Sequence, residues 1–335
     1  MTKVTPAPRD PSPAPPPQTP TTPRSPTPAT DAGRNADTTA AGPVPNALTI
    51  DVEDYFHVAS LAEVIRPDDW QGQEQRCVAS TERLLALLET QQVRATFFVL
   101  GWVAEREPAL VRRIQAQGHE IACHGYSHQL VYNQSQATFR EETRRSKALL
   151  EDITGEPVLG YRAASYSITK RSLWALDELA EAGFVYDSSI FPIRHDRYGI
   201  PDAPPQPHLL STPKGYPLIE FPMSAARLLG ARLPVCGGGY FRLLPYWLTR
   251  WGLRQINRRG QPFVFYLHPW EVDPGQPRVE GLSKLSRFRH YNNLDRTLPR
   301  LEQLLGEFDF ATARTTLERL KLMPREPLTQ RIEIH

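Results

Sequence analysis

From residue 47 onward, short apolar runs alternate with helix-patterned stretches, and that alternation restricts the fold more than any other feature. Residues 47–52, 94–100, 119–123, 184–186 and 263–267 read as extended segments, bounded by turn signals. Between them, residues 81–91 place Leu84, Leu85, Leu87 and Leu88 at helical spacing. Residues 108–117 run to Gly118, residues 139–153 form a charged amphipathic helix closed by Gly155, and residues 170–182 run to Gly183. Further helices are expected near residues 245–257 and 294–305, with a short strand around 308–312. Strand–helix repetition of this kind builds a parallel sheet, open or closed into a barrel.

Composition locates the folded part. Thirteen of the 33 prolines fall in residues 1–45, with nine threonines and seven alanines and almost no large apolar side chain. Such a segment cannot bury enough surface to offset its ordering entropy, so 1–45 is expected to be a disordered, partly polyproline-II tail. About 290 residues remain, the length of one large α/β domain. The 39 Lys and Arg against 37 Asp and Glu leave a formal charge of +2, which argues against a dedicated nucleic-acid binder. No apolar run approaches the roughly 18 residues of a membrane span. Three cysteines are too few for a disulfide framework, and residues 1–46 show no secretory h-region, so a cytoplasmic protein is expected, at most peripheral at the inner membrane face.

The residues that can carry chemistry sit where the extended runs end. The first run leads into Asp51, Val52, Glu53 and Asp54. Side chains alternate along a strand, so Asp51 and Glu53 share a face. Acids packed there repel one another unless a cation or a catalytic task uses them, although a solvated turn or helix cap is an equally simple account. After residues 119–123 come His124 and His128, four apart, a spacing at which two imidazoles reach one divalent ion. Gly125 stands where helical zinc motifs place a glutamate, so any base must come from elsewhere. Arg162 and Asp187 follow the next runs; each alone reads as a surface residue or cap. The run 263–267 ends in His268, which alone reads as a core histidine.

Taken in order, Thr49-Ile50-Asp51 with Glu53-Asp54, His124-x3-His128, Arg162-x3-Tyr166, Asp187-Ser188-Ser189 and an apolar strand ending in His268 resemble the polysaccharide deacetylases, the NodB-homology domain of carbohydrate esterase family 4. The resemblance runs from Asn46 to about Trp270. Residues 48–57, 160–168, 187–192, 237–242 and 266–274 are similar to the subgroup found with exosortase-linked exopolysaccharide loci, which also carries an extension like 288–312 here. The resemblance implies an α/β fold, a distorted (β/α) barrel with the site at the strands' C-terminal ends. It implies a catalytic domain over 46–275, with 276–335 as an extension packed on the barrel.

It also implies roles. Asp51 matches the family's base and Arg162 the arginine that orients it. His124 and His128 match the metal ligands, His268 the catalytic acid, and Asp187 the carboxylate that orients that acid. Val52 stands where the family's third metal ligand sits, so Glu53 or Asp54 takes that role, with alternation favouring Glu53. Ala164 replaces the family's usual proline, and Leu267 sits one residue before the histidine rather than two. The cofactor implied is a divalent metal, zinc first. Gly238, Gly239 and Tyr240 are expected to approach substrate, the alternative being a tight turn, and Trp270 or Tyr166 to stack on a sugar face; Cys123 is expected in the core.

The expected activity is hydrolysis of N-acetyl groups on an amino-sugar polysaccharide or its lipid-linked precursor. O-deacetylation, deformylation or another amide hydrolysis passes through the same intermediate, and a non-catalytic sugar-binding protein on the same fold is a further reading. Oligomeric state has no signature in the sequence.

Overall fold

The computed structural model describes residues 44–324, so all but the last two residues of the expected 1–45 tail lie outside the described residues. The first half alternates as expected: β1 (Asn46–Val52), α1 (Cys77–Thr90), β2 (Thr96–Val99), α2 (Gly101–Arg106), α3 (Pro108–Ala116), β3 (Glu120–Cys123), α4 (Gln136–Thr154), β4 (Gly160–Tyr161), α5 (Trp174–Glu181) and β5 (Tyr186–Asp187). A less regular stretch follows, with β6 (His208–Ser211), β7 (Pro217–Glu220) and the hairpin β8 (Ala225–Leu228) and β9 (Ala231–Pro234). The chain then forms α6 (Gly238–Leu243), α7 (Tyr246–Asn257), β10 (Val264–Leu267), α8 (Lys284–Tyr291), α9 (Leu294–Leu305), β11 (Phe310–Ala311) and α10 (Ala313–Arg319).

The main sheet runs β10-β1-β2-β3-β4-β5-β7-β6, with β11 also paired to β1. Every pairing is parallel except β6 with β7. Among the described residues no ladder joins β10 to β6, so the sheet curls without closing. The curl is measurable from one side chain. β4 lies three strand spacings from β1, about 14 Å across a flat sheet. Yet the guanidinium of Arg162, which follows β4, touches Thr49 and Asp51 of β1 at 2.8 and 2.7 Å.

Buried parallel strands must satisfy both faces. In β1, Leu48, Ile50 and Val52 face the helical layer, while Ala47, Thr49 and Asp51 line the interior of the curl. Phe98 and Ala122, and Val264 with Tyr266, repeat the inward set on β2, β3 and β10, whereas Phe97, Cys123, Phe265 and Leu267 face outward. Cys123 is therefore a core residue turned away from the interior, as its position in the strand requires.

The N-terminal end of that interior is covered by α10, the last helix among the described residues. The Ala313 N–H donates to Thr96 Oγ1 at 2.7 Å and the Arg314 N–H to Glu120 Oε2 at 3.1 Å, while Tyr186 donates its hydroxyl to Glu120 Oε1. The part beyond residue 275 thus packs on β1, β2 and β3, and the described residues form one compact unit.

Candidate active site

Past the end of β1 the inward alternation continues to Glu53, which meets two imidazoles. Glu53 Oε2 lies 2.6 Å from His128 Nε2, and one ligand atom from each of Glu53, His124 and His128 falls within a 4.8 Å cluster. His124 donates its Nδ1–H to the carbonyl of Arg162 at 2.8 Å, which turns its Nε2 lone pair to the cluster. Burial, with His128 beside it, brings His124 down to about 4 against the pull of Asp51 and Glu53, so the ring is neutral near pH 7. Burial alone would raise Glu53; the neighbouring His128, His268 and His124 hold its carboxyl far below the usual range. His128 Nδ1 is buried without a hydrogen-bond partner. His128 itself is held at φ +51°, a left-handed conformation that costs a non-glycine residue about 1 kcal/mol or more. Two imidazoles and a carboxylate, one ligand atom of each within a 4.8 Å cluster, with a strained ligand backbone, fit a divalent cation with nitrogen and oxygen donors.

Two arms border the cluster. In the first, Arg162, fully buried, gives Nη1 to Asp51 Oδ1 and Thr49 Oγ1, Nη2 to Ser188 Oγ and Nε to the Ser188 carbonyl, with Phe98 under its plane at 4.1 Å. That network leaves the Asp51 carboxylate one orientation. The second arm is His268, which points Nε2 to within 3.8 Å of Asp51 Oδ2 and 3.6 Å of Glu53 Oε1. Its Nδ1–H is donated to Glu271 Oε1 at 2.7 Å. Glu271 Oε2 in turn accepts from Arg242 Nε at 2.7 Å. Burial would lower His268, but the bond to Glu271 and the charges of Glu53, Glu271 and Asp51 bring it up to about 9. A fixed carboxylate and an imidazolium that meet beside a cation site are an arrangement for moving a proton in each direction.

A cavity of about 330 Å³ opens beside these arms. Tyr132, Ser165, Tyr198, Gly239, Tyr240 and Tyr266 line it. It adjoins the His268 arm through Tyr266, whose ring centre is 5.8 Å from that of His268.

Residues 68–185 match the profile of the family described as polysaccharide deacetylase, a span that includes His124, His128 and Arg162. The chain carries a polysaccharide deacetylase domain. Residues 188–318 match a second profile, a domain of unknown function (DUF3473), which includes His268 and Glu271. A peptidoglycan-N-acetylglucosamine deacetylase of Bacillus cereus is 31% identical over 99 residues, 29% of this chain and 36% of that one. A chitooligosaccharide deacetylase of Bradyrhizobium sp. is 30% identical over 100 residues, 30% of this chain and 43% of its own. The chain thus spans less than half the length of these curated relatives. The crystal structure of a candidate polysaccharide deacetylase from Mycobacterium smegmatis superposes with a TM-score of 0.57 over 86% of this chain and 95% of that one, at 22% identity, a likeness of fold.

The deacetylase domain departs from the sequence expectations at several residues. Asp54 is turned away from the cluster. Its carboxylate accepts the N–H groups of Tyr55, Arg76 and Cys77, capping a short turn and the start of α1. Asp187 does not orient His268. Tyr186 faces inward, so Asp187 points to the outer layer, where it accepts the Ser189 hydroxyl and lies against Glu220. Trp270 has no free face for a sugar, being stacked between His268 and His290 at 5.3 and 4.5 Å, and its indole N–H donates to Glu53 Oε1 at 3.2 Å. Tyr166 is buried among Phe191, Tyr198 and Tyr266, which leaves it no stacking surface. Gly238 begins α6 packed against the Tyr266 ring, so of the glycine run only Gly239 and Tyr240 reach the cavity.

Sequence reasoning missed Glu271 and Arg242. The signal was present: Glu271 is an acid three residues after His268 across a Pro-initiated turn, a spacing that brings side chain back to backbone and ring.

Proposed function

We propose that this chain is a metal-dependent deacetylase that hydrolyses N-acetyl groups of an amino-sugar polysaccharide or its lipid-linked precursor, in exopolysaccharide biosynthesis. The observation that carries this reading is the convergence of Asp51 and His268, 3.8 Å apart, beside the Glu53–His124–His128 cluster. A bound divalent cation, zinc for this donor set, supplies Lewis acidity to the acyl oxygen and brings the pKa of water to about 7. Asp51, aimed by Arg162, takes a proton from the attacking water, whose oxygen bonds to the acetamide carbon. His268, held by Glu271, gives its Nε2 proton to the departing nitrogen as the C–N bond breaks, leaving acetate and a free amine. The cavity walled by Tyr132 and Tyr240 supports a sugar substrate, because aromatic faces pack on the apolar face of a pyranose. The activities named for the curated relatives favour an N-acetylated glycan, and the exopolysaccharide setting is the one the sequence resemblance implies.

The test is acetate release by the full chain from N-acetylglucosamine oligomers and, side by side, from O-acetylated glycans. Release from the N-acetyl substrate that is abolished by chelation, restored by zinc and reduced about 10²-fold or more in Asp51→Asn and His268→Ala supports the proposal. Release from the O-acetylated substrate alone, or none from either with zinc present, overturns it.

A further inference from the structure

We propose that the face around the cavity mouth, built from the end of α6, the exposed side of α7 and helix α8, docks on an anionic lipid surface. Residues 281–294 hold Lys284, Arg287 and Arg289 and no acid. Residues 221–270 hold seven arginines and no Asp or Glu; Arg242 is paired with Glu271, and Arg250 and Arg254 with Glu307, so the local positive field comes from the arginines left unpaired and from α8. On α8, Lys284, Arg287 and Arg289 are exposed, and none has an ion pair among the described residues.

The same face exposes large apolar groups that a solvated surface does not need. Leu285 and Phe288, three apart on α8, are 56% and 52% exposed, and Trp247 on α7 is 63% exposed. Trp251 follows Trp247 by four residues, so both occupy one side of α7. The ends of α6 and α8 belong to one surface because Leu243 and Phe288 line the same cavity, and Trp247, four residues after Leu243, opens α7 beside them in the chain. Exposed tryptophan, leucine and phenylalanine rimmed by unpaired Lys and Arg are the side chains that settle at a membrane interface: the rings enter the headgroup boundary and the cations meet acidic lipid.

Charge decides among occupants. A second copy of this chain would bring the same unpaired cations against each other across a twofold interface. A phosphate backbone would match the cations but leaves Leu285 and Leu243 without a partner. An acidic bilayer satisfies both. The inference stands on surface chemistry and does not depend on the reaction proposed above.

The experiment is co-sedimentation of the full chain with vesicles of phosphatidylglycerol and phosphatidylcholine, compared with phosphatidylcholine alone. Two exposed-residue variants, Trp247→Ser with Leu285→Ser and Lys284→Glu with Arg287→Glu, serve as probes. None of these four side chains lines the cavity, and thermal midpoints verify folding. The expected result is binding to the acidic vesicles, weakened by salt, with each double variant at least about tenfold weaker. Absence of binding, equal binding by parent and variants, or a dimer in sedimentation velocity that Trp247→Ser dissociates would each overturn the proposal.

Discussion

Glu271 accepts the Nδ1–H of His268 at 2.7 Å from only three residues further along the chain. The orienting carboxylate is therefore local to the histidine, carried by the same short turn, and is itself clamped by Arg242. Glu271→Gln keeps the size of the side chain and removes the charge that favours imidazolium. With the proposed reaction, kcat is expected to fall about 10²-fold with KM little changed. Asp187→Asn is expected to leave kcat within about twofold, because that side chain faces the outer layer. Steady-state kinetics on one substrate reads both, and equal losses would show that Asp187 acts on the histidine after all.

Glu53 and Asp54 are adjacent and both buried, yet only Glu53 shares the cluster with His124 and His128. Zinc-reconstituted His124→Ala and Glu53→Ala are expected to lose the metal by elemental analysis. Asp54→Ala is expected to retain it and to lose about 2 kcal/mol of stability, since three backbone N–H donors lose their acceptor. Metal loss in Asp54→Ala at an unchanged thermal midpoint would reverse the assignment.

The Asp187–Glu220 pair gives stability a pH dependence away from the cluster. Burial raises both carboxyls, Asp187 to about 6 and Glu220 well above its ordinary value. The folded state thus holds protons that the unfolded chain releases above about pH 4. This contribution is fully present below the unfolded pKa and is lost as pH rises through 6, at about 1.4 kcal/mol per pH unit for each proton retained. Glu220→Gln supplies an amide donor in place of the second acid. Denaturant titrations at pH 5 and pH 8 are expected to show the variant more stable than the parent at pH 8 and the difference shrinking at pH 5; a constant difference would contradict the shared proton.

Gly237 sits at φ +126°, where an added Cβ would fall 1.8 Å from the Tyr266 carbonyl oxygen. Gly237→Ala is expected to cost at least about 3 kcal/mol. Gly215→Ala, also at positive φ but with nothing within 4 Å, is expected to cost about 1 kcal/mol. Chemical denaturation of both variants separates crowding from backbone strain, and equal losses would assign the whole effect to φ.

What the sequence revealed follows the physics of strands. Residues 47–52 and 263–267 carry their chemistry on a period of two, so the inward direction of Asp51, Glu53 and His268 was legible before any coordinates. The same rule, applied from Tyr186, would have turned Asp187 outward; the resemblance overrode it. Glu271 escaped because a short turn leaves no periodic trace. The segment from β6 to α6 escaped because short strands and a glycine run give neither a period of two nor one of 3.6. Burial of Trp270 on both faces depends on His290, twenty residues away, a contact that local pattern does not encode.

Arg242 reaches past Glu271 to the carbonyls of Arg289, His290 and Asn292. During synthesis the base, its arginine and the cluster emerge from the ribosome well before those carbonyls do. The nascent chain therefore holds half a reaction centre, and the acid arm is set only when the end of α8 arrives, with β11 and α10 still to pack beneath. A ribosome that stops near residue 275 releases a chain that has every expected catalytic residue, with Glu271 and Arg242 beside them, and lacks the carbonyls that anchor Arg242.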